Sequence, residues 1–181
     1  GIRDVAVTGV QTCALPIEGD VRMRRVIQRL NSCREMPMSN LDEIVDIFEL
    51  LGDWEQRYQY LVELGEQLPV MPDKLKTESN KVKGCMSRVW VSARRSPDDA
   101  GLVQFYGDCD TSIVKGVLAL LIQLTDGKTA SEVEQLDLDA IFARLNLHEH
   151  LSPNRHVGVY GIVDLMKKQA RELAAKSRDA A

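Results

Sequence analysis

At 181 residues, 44% hydrophobic and 28% charged, the chain is sized for one globular domain with its own core and is too short for two full catalytic domains. The formal net charge is −4, and the longest apolar run, Val117 to Ile122, falls far short of the roughly 20 residues needed to cross a bilayer, so no membrane span is expected. Four cysteines at 13, 33, 85 and 109, irregularly spaced and without a CxxC, argue against a disulfide framework or a zinc ribbon and suit a reducing cytoplasm.

The N-terminus stands apart. VTGVQTCALPI, residues 7–17, resembles the conceptual translation of a widely used sequencing adapter, so 1–17 is expected to be non-native and Cys13 to carry no function. Residues 18–37 are Arg-rich and fit an upstream tail. MSNLDEIVDIFELL from Met38 looks like a natural start, with Ser39 or Asn40 as helix cap. The domain is therefore expected over 38–175, with a polar tail at 176–181. The 37 residues ahead of Met38 carry six Arg and four acidic residues, which leaves the remainder at −6. A domain so acidic does not suit a nucleic-acid partner.

Over 41–51, Ile44, Ile47, Phe48 and Leu51 recur at helical spacing and Gly52 ends the run. Asp53, with Gln56 three residues on, caps a second helix whose apolar stripe is Tyr58, Leu61, Val62 and Leu64, up to Gly65. Residues 68–79 contain Pro69 and Pro72 and few apolar side chains, an exposed loop leading to Cys85. β-Branched and aromatic residues then gather over 86–93 and again over 102–106. SPDDAG between them is turn chemistry, so an antiparallel hairpin is predicted. Such a ribbon needs a further strand or packed helices to be stable. An apolar helix follows over 111–125, entered from GDCD and closed at DGKT. Thr129 with Glu132 forms a capping box, and 138–145 is a short amphipathic helix. Ser152 and Pro153 open a long last helix carrying Val157, Tyr160, Val163, Met166 and Ala170 inward. Helices, a small antiparallel sheet and then more helices make the class α+β.

Cys85 is the first candidate for chemistry, although the default role of a single cysteine is packing. Gly84 removes a side chain beside it. Lys81, Lys83 and Arg88 lie nearby, and cationic neighbours favour the attacking form of a thiol. A position after a polar loop and before a strand can present a tip while the sheet holds its base. Residues 74–95 hold seven basic side chains and one acid, Glu78, an island that suggests docking on an acidic partner. Packed and reactive readings of Cys85 both stand on these residues alone. Cys109, between Asp108 and Asp110, is expected to pack, since flanking carboxylates suppress thiol reactivity, and Asp110 is expected to be the N-cap of the next helix. His148, His150 and His156 lack the i, i+4 spacing of HExxH and find no carboxylate set, so structural roles are favoured over a metal site. A Cys85–His150 pair stays open, because catalytic partners need only be neighbours in space.

Four segments in order, DWEQRYQYLVELGEQLP, NKVKGCMSRVWV, FYGDCDTSIVKGVLALLIQLTDGKT and LNLHEHLSPNRHVGVYGIVDLMKKQA, closely resemble the SufE family of sulfur acceptors for iron–sulfur cluster assembly, over about residues 41–171. The resemblance implies an α+β, SufE/IscU-like single domain, a small antiparallel sheet packed against several helices. It puts the family's reactive cysteine on Cys85, with Gly84, Lys83, Met86, Ser87 and Arg88 as the supporting loop. It gives Asp110, His150 and Arg155 docking or structural roles. The implied activity is a persulfide relay: a SufS-type cysteine desulfurase hands its sulfur to Cys85, which delivers it to a scaffold complex containing SufB. In that scheme the chain is a carrier and not itself an enzyme. No cofactor or metal is expected on this chain, the pyridoxal phosphate belonging to the partner desulfurase. The alternatives are a desulfurase activator that docks without using Cys85, and a stand-alone Cys–His thiol enzyme. Met86 and Arg88 stand where glutamine is common in the family, and Cys109 where serine is common in GDSD.

Overall fold

The structure is a computed structural model and describes residues 41–178. The adapter-like stretch, the upstream tail, the cap at Ser39 or Asn40 and residues 179–181 lie outside the described residues.

Helices α1 (Leu41–Leu50) and α2 (Trp54–Glu66) form the predicted N-terminal pair. Asp53 caps α2 as expected: its side chain accepts from the backbone N–H of Gln56 at 2.9 Å and from Gln56 Nε2 at 3.1 Å. The buried face of α2 is Tyr60, Leu61 and Leu64, so Tyr60 belongs to the core and Tyr58 stands at its edge. The segment from 68 is mostly exposed, apart from buried Met71 and a 3₁₀ turn at Asp73–Leu75.

Strands β1 (Val89–Arg95) and β2 (Leu102–Cys109) pair antiparallel in a register that sets Val89 opposite Cys109 and Arg95 opposite Val103. β1 therefore starts three residues later than the composition suggested, and 86–88 belong to the preceding loop. β2 runs on to Cys109, which puts that cysteine inside the strand. The support a lone hairpin needs comes from β3 (Lys128–Thr129), beside β2 in the order β1-β2-β3, and from helices packed on the sheet.

Helix α3 (Ser112–Thr125) is the hydrophobic centre. Val117, Leu118, Leu120 and Leu121 are wholly buried, each contributing about 1.5–3 kcal/mol of transfer free energy. It packs against α2 on one side and β2 on the other. Gly127 at φ +66° makes the turn into β3, and the capping box of Thr129 and Glu132 then opens α4 (Ala130–Glu134). Next comes α5 (Leu138–Leu145), ended by Asn146 in the left-handed conformation.

The last helix, α6 (Pro153–Arg178), lies against edge strand β1 and against α3 and α4, running past the expected start of the tail at 176. Its buried face is Val159, Ile162, Val163, Met166 and Ala170. The expected inward positions Val157 and Tyr160 are wrong: they are 59% and 38% exposed, and Tyr160 bonds through its hydroxyl to Asp139 on α5. The inward stripe is rotated so that Gly158 and Gly161 meet the loop carrying Cys85. Among the described residues no helix is long and apolar enough to cross a membrane.

Candidate functional site

Cys85 sits at the tip of a loop whose neck is closed by backbone hydrogen bonds. Val82 N–H donates to Val89 carbonyl at 2.9 Å and Val91 N–H to Asn80 carbonyl at 2.8 Å, with Lys81 bridging Trp90. Gln169 of α6 braces that neck, accepting from Ala93 N–H at 2.9 Å and donating to Asn80 Oδ1 at 3.1 Å and Val91 carbonyl at 2.9 Å. The tip is thus a short, tethered excursion from a rigid edge. Gly84 adopts φ +77°, where a side chain would be strained, which explains the glycine before the cysteine.

The C-terminal limb of the loop is tied to the end of β2. Arg88 backbone N–H and Nε each donate to Asp110 at 3.0 Å, and Asp110 N–H returns to Arg88 carbonyl at 3.2 Å. Ser87 Oγ lies 2.8 Å from Thr111 Oγ1. Asp110 is therefore not the helix cap expected of it. Thr111 occupies the N-cap position of α3, and Asp110 clamps the loop instead. The side-chain hydrogen bond from Arg88 holds the Asp110 carboxyl below its usual range.

Between these tethers Cys85 is half-buried and free, with Lys83 exposed on one side and Met86, 84% exposed, on the other. A Met side chain that open beside the candidate thiol is exposed apolar surface. The basic island looks different in three dimensions. Lys76 is held by Asp108 at 2.9 Å and Asp73 at 3.4 Å, Lys81 by Glu78 at 3.6 Å, and Arg88 by Asp110. Asp108 also takes Lys115 at 3.0 Å; partial burial pushes its carboxyl up, but the two lysines outweigh that and hold it below its usual range. At least three of the island's seven cations are thus paired within the domain, which weakens it as a docking signal.

Cys109 is buried at 7% exposure, with Thr111 N–H donating to its Sγ at 3.4 Å. Its thiol is pushed up to about 11, by burial first, with the charges of Asp110, Cys85 and Asp108 adding to it. The flanking carboxylates contribute as expected, but burial is the larger cause. Both thiols are free. Against the ordinary value of 9.0, a pKa of about 11 leaves about a hundredfold less thiolate near neutral pH. Peptide-level mass spectrometry after iodoacetamide treatment at pH 8 should find Cys85 alkylated and Cys109 nearly untouched. Cys109 labelling should grow about tenfold per pH unit up to about 11. Equal labelling of the two at pH 8 would contradict the burial argument.

Each of the three histidines makes a ring contact. His150 stacks on Trp54 with ring centroids 3.5 Å apart and its carbonyl accepts from the Tyr58 hydroxyl, fastening the α5–α6 connection to α2. His148 and His156 gather around Phe142, 5.4 and 5.8 Å away. Arg155 lies in the first turn of α6, its N–H on Ser152 carbonyl at 2.8 Å. Among the described residues no group of three or more His, Cys, Asp or Glu could hold a metal. Sequence reasoning missed Gln169, Thr111, Gly158 and Gly161. For the glycines a signal existed: GVYG places two of them three apart inside a helix, where each costs about 1 kcal/mol relative to alanine.

Three comparisons with known proteins bear on this site. The family model described as SufE, Fe-S metabolism associated domain, matches residues 42–170, which span the loop and all its tethers. The chain is 40% identical over 134 residues to an uncharacterized SufE-like protein of Rhizobium meliloti, covering 74% of this chain and 96% of that one. It is also 40% identical over 139 residues to an uncharacterized SufE-like protein of Rhizobium etli, covering 76% and 94%. Among solved structures, a hypothetical protein from Thermus thermophilus superposes with a TM-score of 0.63 at 22% identity, over 77% of this chain and 99% of that one, a likeness of fold.

Proposed function

Because the chain belongs to the SufE family, an Fe–S metabolism associated domain, we propose that it is a sulfur carrier acting through Cys85. A single observation supports this most: of the two described cysteines, Cys85 is presented at the tip of a tethered loop, whereas Cys109 is sealed in the sheet with a raised pKa. The donor is a SufS-type cysteine desulfurase carrying sulfur as a persulfide. The Cys85 thiolate attacks the outer sulfur, the bond between the donor's two sulfurs breaks, and the donor cysteine leaves as thiolate. Cys85 is left as the persulfide, with no net oxidation or reduction. A second exchange of the same kind passes the sulfur to a SufB-containing scaffold. Such a step needs one accessible thiol and a protected resting site, because an exposed thiolate is open to oxidation. The scheme asks no cofactor of this chain, makes the partner the enzyme, and suits a reducing cytoplasm.

The geometry suits this role in two ways. The neck bonds and the Arg88–Asp110 clamp hold the loop base, so the tip alone has to enter a partner's cleft. Met86 supplies an apolar contact beside the thiol for that encounter. Incubating the protein with a SufS-type desulfurase, cysteine and pyridoxal phosphate should give a one-sulfur adduct on the Cys85 peptide, removable by reductant. Stimulation of the desulfurase with no adduct would favour a docking activator instead, and turnover without any partner would favour a thiol enzyme.

A further inference from the structure

Two missing side chains on α6 hold the tip of the loop. A β-carbon built on Gly158 would lie 2.6 Å from Cys85 Sγ, while Cys85 Cβ and Cα would stay at 3.5 and 3.9 Å. One turn further, a β-carbon on Gly161 would lie 2.9 Å from Val82 Cγ1 and 3.2 Å from Lys83 carbonyl. Non-bonded heavy atoms settle at about 3.5–4.0 Å, so the thiol occupies space that any side chain at 158 would claim. An interior glycine costs a helix about 1 kcal/mol relative to alanine. α6 carries that cost at two positions, and both face the same loop.

We propose that Gly158 is the positioning residue of Cys85: its bare backbone is the seat that holds the thiol against α6 in the unloaded protein. The inference rests on reading Cys85 as the sulfur acceptor, and it adds what keeps that acceptor in place. The collision at 158 involves Sγ alone, because Cβ and Cα would remain at ordinary contact distance. Filling the seat therefore moves the thiol outward and leaves the helix itself undisturbed. Exposed Val157 and Met86 flank the seat in sequence, so a thiol displaced from it emerges beside apolar surface.

The test is Gly158→Ala in two backgrounds of the full chain. With Cys85 present, the melting temperature should fall and the rate of Cys85 alkylation by iodoacetamide should rise about tenfold, as for a group released from local protection. In the Cys85→Ala background the same substitution should raise the melting temperature, because the new methyl then meets nothing closer than a normal contact and the helix gains alanine's propensity. That reversal of sign is a result no general packing role produces. An equal loss in both backgrounds, or an unchanged alkylation rate, overturns the proposal. Should Gly158→Ala with Cys85 fail to fold, Gly161→Ala serves, since its β-carbon meets the same loop less closely, at 2.9 Å from Val82 Cγ1 and 3.2 Å from Lys83 carbonyl. It too should accelerate alkylation of Cys85, and an unchanged rate overturns the seat. None of these measurements needs a desulfurase. Loss of the sulfur adduct with the seat intact would refute the carrier reading, and an adduct without the thermal sign reversal would refute the seat.

Discussion

Cys85→Ser should abolish the one-sulfur adduct entirely while leaving the fold in place. A serine hydroxyl ionises far too weakly to attack a persulfide near neutral pH, and it cannot form the sulfur–sulfur bond that holds the cargo. The structural cost is small: Cys85 is half-buried at a loop tip, and an oxygen fits where sulfur already fits against Gly158. Such a change is expected to stay within about 0.5 kcal/mol, so the melting curve should overlay that of the parent. Cys109 offers no substitute, being 7% exposed and with its thiol pushed up to about 11. The measurement is intact and peptide-level mass spectrometry after desulfurase treatment. An adduct of similar yield in Cys85→Ser would move the acceptor to another cysteine and sink the assignment. Undiminished stimulation of the desulfurase by the same variant, with no adduct, would instead establish the activator role.

Gly116→Ala should be the most damaging single-methyl addition in the domain. Helices α2 and α3 cross with almost nothing between their backbones: a β-carbon on Gly116 runs into the Leu61 carbonyl group, with Leu61 Cβ at 2.9 Å. Across the crossing, a β-carbon on Gly65 would lie 2.9 Å from Gly116 N. Backbone cannot rotate out of the way as a side chain can. The helices must separate, and the wholly buried Leu61, Val117 and Leu121 lose contact with them. Overpacking of this kind outweighs the helix propensity gained, and a net loss of about 3 kcal/mol, or about 10 °C in melting temperature, is expected. Gly52→Ala is the control, since nothing lies within 4 Å of the position, and thermal melting checks both. A Gly116→Ala protein melting within about 2 °C of the parent would refute the close crossing.

The two kinds of glycine show what could and could not be read in advance. Gly84 announced itself, because a glycine before a candidate nucleophile has a local reason, the left-handed backbone now seen at φ +77°. Gly116 and Gly158 have no local reason. Each exists for a partner far along the chain, Leu61 in one case and Cys85 in the other. The rotated face of α6 has the same origin. Val157 and Tyr160 are apolar enough to be placed inward by periodicity, and only the seating of 82–85 on Gly158 and Gly161 turns them outward. Asp110 is a third instance: as an acid ahead of a helix it has cap chemistry, but Arg88 competes for the carboxylate and wins with a charge-assisted bond, leaving the N-cap to Thr111.

From its residues alone this chain determined its α+β class, its helix caps at Asp53 and Thr129, the hairpin across 96–101, and Cys85 as the thiol to examine. These follow from periodicity, capping chemistry and a few adjacent residues, all short-range. The tertiary structure decided which charges of the basic island are already paired, that Cys109 lies inside a strand, that His150 belongs to Trp54, and where Cys85 rests. Each of those depends on groups distant in sequence competing for the same space or the same hydrogen-bond partner, and only the packed chain shows which of them prevails.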